Sequence, residues 1–351
     1  MQLTHIVLLS GLMNKRLRTI LQYSFFLGLG IFLVWWSVKD LTGEDKSQIK
    51  VSLKTARYWL LIPVFGILFL SHLIRAIRWK LLIEPLGYKP STTNTLFAVF
   101  IGYLANQAVP RLGEVLKCTV LSRYEKIPAD KLVGTIILER VIDAITLLII
   151  FGITLAIQPD IYSQLVDTIF NSKKEGGQNH KTISSSLVLM VIGGIIILIL
   201  VVWMIKNKKN FRDLGLLFKK IGRSIWQGLS AIQHLKKRWL FILLTISIWV
   251  LYLSGGYIGF MALKETHQYG IKEAFTVLSA GSVGMIATPG GIGTYAYLLQ
   301  KTMQVYGLNE GIALAFGWIL WLAQTAVILI GGLISFVAIP YYNKRKLREQ
   351  N

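Results

Sequence analysis

Long, mostly apolar runs alternate along the chain with short segments dense in Lys and Arg. The runs fall at about residues 17–38, 58–83, 131–157, 185–205, 239–263 and 310–340. Each is long enough to cross the hydrocarbon layer as a helix, which takes roughly 20 mostly apolar residues. Two further segments are apolar but broken: 92–124 is interrupted at Pro110, and 273–307 at Pro289, Gly290, Gly291 and Gly293. The pattern predicts an all-α polytopic membrane protein, with 1–351 as a single membrane domain and no soluble domain beside it.

Composition agrees: 54% of residues are hydrophobic and 16% charged, where soluble domains carry about a quarter charged. Lys and Arg number 38 against 17 acids, a formal net charge of +21. In a soluble chain that excess would suggest nucleic acid. Here the basic residues sit between apolar spans, where anionic headgroups lie, so membrane phospholipid is the expected partner and nucleic acid is not. One cysteine, Cys118, leaves no internal disulfide and no Cys-based metal cluster; it reads as a small buried thiol. Met1 to Leu12 lack the features of a signal peptide, and Met13, followed by Asn14, Lys15 and Arg16, reads as a more natural start.

Orientation follows from the Lys/Arg bias of short loops. The segment 206–238 holds Lys206, Lys208, Lys209, Arg212, Lys219, Lys220 and Arg223 with Asp213 as its only acid, which places it in the cytoplasm. The basic N-terminal and C-terminal segments belong on the same side, so the number of crossings is even. Six full spans satisfy this if each broken segment enters and leaves by one face as a re-entrant hairpin; eight satisfy it if both cross. The charge between Lys117 and Lys131 favours hairpins. Within 206–238, Leu214, Leu217, Phe218, Ile221, Ile225, Leu229 and Ile232 recur at helical steps, predicting a basic amphipathic helix in the inner headgroup layer.

The breaks occupy matching places in two halves, 17–157 with hairpin 92–124 and 239–340 with hairpin 273–307, joined by the span at 185–205. From each proline to the next span is about 20 residues. With the topology above, the span before each hairpin runs in opposite directions, so the repeat is inverted. Such paired Pro/Gly interruptions point to a transport site near the midplane. Proline breaks the helix, and the half-helix beyond it offers free amides and a positive dipole end to an anion. Gly290, Gly291 and Gly293, followed by Thr294, permit close approach to that backbone.

Charges inside apolar runs mark the remaining candidates. Glu139 and Asp143 share a helix face, and Arg140 stands three residues from Asp143, a pairing distance. Arg111 and Glu114 follow Pro110, with Asn106 and Gln107 before it; Arg75 and Arg78 stand one turn apart, placed to bind a headgroup or to snorkel. Because a guanidinium fork matches phosphate, Arg111 is the first expected headgroup ligand, with Arg140 and Arg78 behind it. Arg111, Glu114, Glu139, Arg140 and Asp143 also suit a charge network tying hairpin to span, and Glu139 or Asp143 suits proton coupling. His5, His72, His180, His234 and His267 are scattered and read as incidental.

Together, Arg75-Ala-Ile-Arg78-Trp79, the stretch from Asn106 through Pro110 to Gly113-Glu114, Glu139-Arg140-Val-Ile-Asp143 and Pro289-Gly-Gly-Ile-Gly293 resemble the transmembrane region of lysylphosphatidylglycerol synthases, a family that also includes stand-alone flippase-like membrane proteins. The resemblance runs from about residue 17 to 340. It implies a lipid-translocating module in a bacterial-type inner membrane, acting on anionic or aminoacylated phospholipid. Two departures stand out. No aminoacyl-transferase segment follows before Asn351, so lysyl-lipid synthesis by this chain is not expected; and where relatives often carry an acid three residues after the last motif glycine, this chain has Ala296. The expected function is a flippase-like lipid transporter with no cofactor, no metal and no enzymatic activity. Its alternatives are an intramembrane transferase on a lipid-linked substrate and a non-transporting accessory subunit; whether the chain forms homo-oligomers is open.

Overall fold

The protein is described by a computed structural model. It describes residues 24, 28, 30–36, 38, 39, 41–109, 111–171 and 235–350. Pro110, the expected span at 185–205 and nearly all of the basic segment 206–238 lie outside the described residues, as does much of 17–38.

Among the described residues the chain is helical and has no strand. A helical run at 30–36 is followed by ten helices: α1 (Gly43–Thr55), α2 (Leu61–Ile83), α3 (Thr92–Ala108), α4 (Leu112–Glu125), α5 (Ala129–Ile157), α6 (Ile161–Asn171), α7 (Arg238–Phe260), α8 (Ile271–Ala287), α9 (Thr294–Val305) and α10 (Glu310–Gln350). Among the described residues, four stretches are long and apolar enough to cross a membrane: Tyr58–Leu86, Ala129–Ile157, Arg238–Phe260 and Glu310–Arg345. They coincide with four of the six expected spans.

Local chemistry sets the ends. Pro85 closes α2 through a 3-10 turn that finishes on Gly87 in the left-handed region. Ser91 Oγ accepts from Asn94 N at 3.1 Å to start α3, and Asn309 Oδ1 accepts from Gly311 N at 2.8 Å to start α10.

Both broken segments fold back on themselves as antiparallel helix pairs. In the first, Gly102 of α3 lies so close to Gly113 and Lys117 of α4 that neither glycine has room for a side chain. In the second, Tyr295 of α9 packs onto Gly281 and Gly284 of α8. The leading arm is 17 residues in each, Thr92–Ala108 and Ile271–Ala287. The packing partners are exchanged between halves: α3 lies against α10, with Phe100 on Gly331 and Leu104 on Gly332, while α8 lies against α5, with Ser279 and Thr154 sharing a hydrogen bond at 3.0 Å.

The open ends of the two pairs stand at opposite ends of the molecule. Asn94 Nδ2 donates across the first to Glu125 Oε1 at 2.6 Å and, in a reciprocal amide pair, to Asn343 Oδ1 at 2.9 Å. Lys237 meets Glu84 at the same end. At the other end Tyr269 OH donates across the second pair to Tyr306 O at 3.2 Å, and α1 closes over it through Ser52 to Glu265 and Asn309 to Asp45. Each pair carries its own buried core, Trp79, Ile83, Val99, Leu121 and Ile136 around the first, and Phe260, Leu299, Met303 and Phe316 around the second. Large apolar side chains such as Ile137, Leu148, Ile246, Leu333 and Phe336 face outward, as a lipid-facing surface requires.

Candidate functional site

Two arrangements meet in the interior: a buried charge network and the contact between the two breaks.

The network begins with sequence spacing. On α2, Arg75 and Arg78 are three apart and share a face; on α5, Glu139 and Asp143 are four apart and share another. The faces oppose each other. Arg75 Nη1 donates to Asp143 Oδ2 at 2.6 Å and Glu139 Oε1 at 3.3 Å, and Arg78 Nη2 donates to Asp143 Oδ1 at 2.7 Å and Glu139 Oε1 at 3.3 Å. Each oxygen of Asp143 therefore receives one guanidinium. From α4, Lys117 Nζ donates to the other Glu139 oxygen at 2.8 Å and stands 4.0 Å from the centre of the Trp79 ring, a cation–π contact. Trp79 Nε1 is held in turn by Thr135 Oγ1 at 2.8 Å. From α7, Tyr252 OH and Thr245 Oγ1 accept from Arg75 and Arg78.

Glu139 and Arg78 are fully buried, and Arg75 and Lys117 nearly so. Three cations, Arg75, Arg78 and Lys117, face two carboxylates, which among the described residues leaves one positive charge in excess within the network. Several buried polar atoms nearby have no protein partner among the described residues: Nε of Arg75, Nε of Arg78, and Nδ1 of His72, whose ring lies 5.0 Å from both Phe100 and Tyr103.

The expected pairing of Arg140 with Asp143 does not form. Two arginines on α2 saturate Asp143, and Arg140 turns to Glu114 at 3.5 Å in a partly exposed pair. Arg75 and Arg78 do not snorkel; they point into the bundle. His72 is not incidental by position, since it is buried in the middle of α2. Cys118 is the buried thiol expected.

At the first break, Asn106 Oδ1 accepts from Gly113 N at 2.8 Å, so this expected ligand caps one of the free amides at the start of α4. Arg111 is exposed and holds φ at 67°, a left-handed conformation that costs a non-glycine residue about 1 kcal/mol or more. It makes no hydrogen bond or ion pair with the described residues, leaving its guanidinium available.

At the second break, Gly290, Gly291 and Gly293 all have positive φ. Thr294 Oγ1 donates to Gly284 O and shares a hydrogen bond with Thr288 Oγ1, both at 2.6 Å, so it staples the break shut. Gly293 lies against Gly30 O, in the helical run of the first expected span. Gly290 touches the first break: a side chain there would overlap Gln107 Oε1. From α10, Trp321 Nε1 donates to Gly290 O at 2.8 Å. Close by on α10, Gln324 Oε1 and Thr325 Oγ1 are buried without partners among the described residues.

The structure thus brings Arg78, Glu139 and Asp143 into one network, pairs Arg140 with Glu114 at its rim, and leaves Arg111 apart on the surface. Lys117, in sequence only one of the charges that orient the first hairpin, is a full member of the network. The available signal was its place four residues after Gly113, on the α4 face that a glycine lets approach α3.

Long apolar helices, buried ion pairs and outward-facing aliphatic side chains define a multi-pass helical membrane protein. The chain belongs to the family of the lysylphosphatidylglycerol synthase TM region, which it matches over residues 21–332. It is also similar to a UPF0104 membrane protein of Methanocaldococcus jannaschii, at 31% identity over 115 residues. That match takes in 32% of this chain and 34% of the relative, about a third of the relative's length. No solved structure matches the chain.

Proposed function

We propose that the protein is a flippase-like transporter that moves a phospholipid, or another lipid with a charged headgroup, between leaflets, and that it is not an enzyme. The observation that carries this reading is the meeting of the two breaks at Gln107 and Gly290, beside a buried network with one positive charge in excess. A phosphate-bearing headgroup supplies the missing negative charge, and the unpartnered Arg75, Arg78, Gln324 and Thr325 atoms supply donors and acceptors for it. The closed packing around Gly290 and Gly293 is then the occluded arrangement, with acyl tails outside in lipid.

In this reading the two helix pairs are re-entrant and related as an inverted repeat within six full spans. Equal leading arms, opposite open ends and exchanged packing partners support it. The end bearing Asn94 and Asn343 carries Lys80, Lys89, Arg123, Lys126, Lys131, Lys237, Arg238, Lys344 and Arg345 against Glu84, Glu125 and Asp130, whereas charges at the other end are nearly balanced. The Lys/Arg bias therefore favours a cytoplasmic position for that end and for both termini, in a bacterial-type inner membrane. Arg111, exposed beside the first break, is the first ligand for an incoming headgroup, which is anionic or aminoacylated phospholipid.

Leaflet exchange of fluorescent phosphatidylglycerol, lysylphosphatidylglycerol and phosphatidylcholine in liposomes holding the purified protein tests the proposal. Exchange faster than in protein-free liposomes, slowed by Arg111→Ala, is expected. Exchange at the protein-free rate for all three lipids would overturn it.

A further inference from the structure

We infer that α1 is a docking surface for anionic phospholipid headgroups, at the end of the protein away from the Asn94–Asn343 pair. The helix is fixed on one side only. Thr42 and Asp45 form a reciprocal cap at its start, and Asp45, Ile49 and Ser52, at helical spacing, dock against Asn309, Gly311 and Glu265. That leaves Lys46, Lys50 and Lys54, four residues apart, in a row on an exposed face.

The row runs about 12 Å at 1.5 Å per residue. No acid stands in it, and none of the three ammonium groups makes an ion pair or hydrogen bond with a described residue. Topology does not account for them either: on the proposed orientation they lie on the outer side, where the Lys/Arg bias gives no reason for them.

The row also lies next to the membrane boundary. After α1 come Arg57, Tyr58 and Trp59, all exposed, at the first residues of the span Tyr58–Leu86. Amphipathic aromatics favour that depth. Tyr58 OH donates to Leu53 O at 2.6 Å, binding the C-terminal end of α1 to the interfacial aromatics. Three ammonium groups with no ion pair among the described residues, held at headgroup level, match the phosphates of an anionic leaflet.

The test uses the full chain in nanodiscs, with a bimane label on Ser47→Cys, since Cys118 is buried, and acrylamide as a neutral quencher. Discs of phosphatidylcholine are compared with discs of equal parts phosphatidylcholine and phosphatidylglycerol. Protection in the anionic discs, lost in high salt and lost in K46Q/K50Q/K54Q, is expected. The docked-to-undocked ratio should fall on the order of a hundredfold in that variant, about fivefold for each lysine near an anionic surface. Gln is close to Lys in helix propensity and the docked face is untouched, so α1 keeps its fold. Equal quenching in both discs, protection that survives in the variant, or protection produced only by added soluble polyphosphate would each overturn the inference. None of these readouts depends on lipid transport.

Discussion

Gln107 and Gly290, just over half the chain apart, fill one another's space: the α-carbon of Gly290 is bare where the Gln107 amide lies, and a methyl group there would overlap Gln107 Oε1. The contact joins the two breaks, so each half of the protein closes the other.

Gly290→Ala should therefore destabilise for two separable reasons. Its φ of 60° strains an L-residue by about 1–2 kcal/mol, and overlap with Gln107 adds about 1–3 kcal/mol. Trimming the partner removes only the second. In thermal unfolding of the detergent-solubilised protein, Gly290→Ala with Gln107→Ala should be more stable than the sum of the two single changes predicts, by about 0.5 kcal/mol or more. Strict additivity would mean that the breaks do not touch.

Arg111 offers a way to part function from folding. Held at a positive φ with no partner among the described residues, it costs stability where it stands. Arg111→Gly relieves the strain while adding some unfolded-state entropy, terms of about 1 kcal/mol each that nearly cancel. Thermal stability should stay level or rise slightly while leaflet exchange of anionic lipid drops. A clear loss of stability would show instead that the guanidinium holds the fold.

Much of this architecture is legible in the chain. Mostly apolar runs long enough to span hydrocarbon have one solution, a helix, and four expected spans coincide with α2, α5, α7 and α10. The breaks are legible because proline and clustered glycine leave few other conformations. Partner choice is not. Spacing alone allowed Arg140 to pair with Asp143 along one helix; Arg75 and Arg78 win because α2 lies opposite and presents two guanidiniums to its two oxygens. Which helix faces which is a tertiary fact that no local window holds. The same limit hid Lys117, whose role depends on Gly113 drawing α4 against α3.

Asp45 gives a pH dependence outside the membrane. Hydrogen bonds from the Thr42 side chain first, then from Asn309, hold its carboxyl below the ordinary range. A depressed folded-state pKa contributes stability above the unfolded value, and that contribution is lost as pH falls through the folded value, here below about pH 4. Comparing pH 5 with acid below about pH 4, Asp45→Asn should lose less thermal stability than the wild type. An equal loss in both proteins would remove Asp45 as a contributor.

Among the described residues the charges of the network do not balance, three cations standing against two carboxylates. Glu139→Gln removes a fully buried carboxylate that faces Lys117, Arg75 and Arg78. Asp143 still serves both arginines through its two oxygens, so the main casualty is Lys117, left charged and buried against Trp79. Removing one partner of a buried pair costs about 3–5 kcal/mol, whereas replacing both with well-packed neutral groups is often nearly neutral. Glu139→Gln with Lys117→Met should therefore melt well above Glu139→Gln alone, though the latter carries fewer changes. The same double variant retains Arg75, Arg78 and Asp143, so its lipid exchange reports whether the lysine and glutamate move headgroups or only tie α4 to α5. Exchange at the wild-type rate assigns them to the tie; loss of exchange in a stable double variant assigns them to the path. If the double variant melts no higher than Glu139→Gln, the buried ammonium is not what destabilises the single change, and the charge imbalance described above is matched by something else.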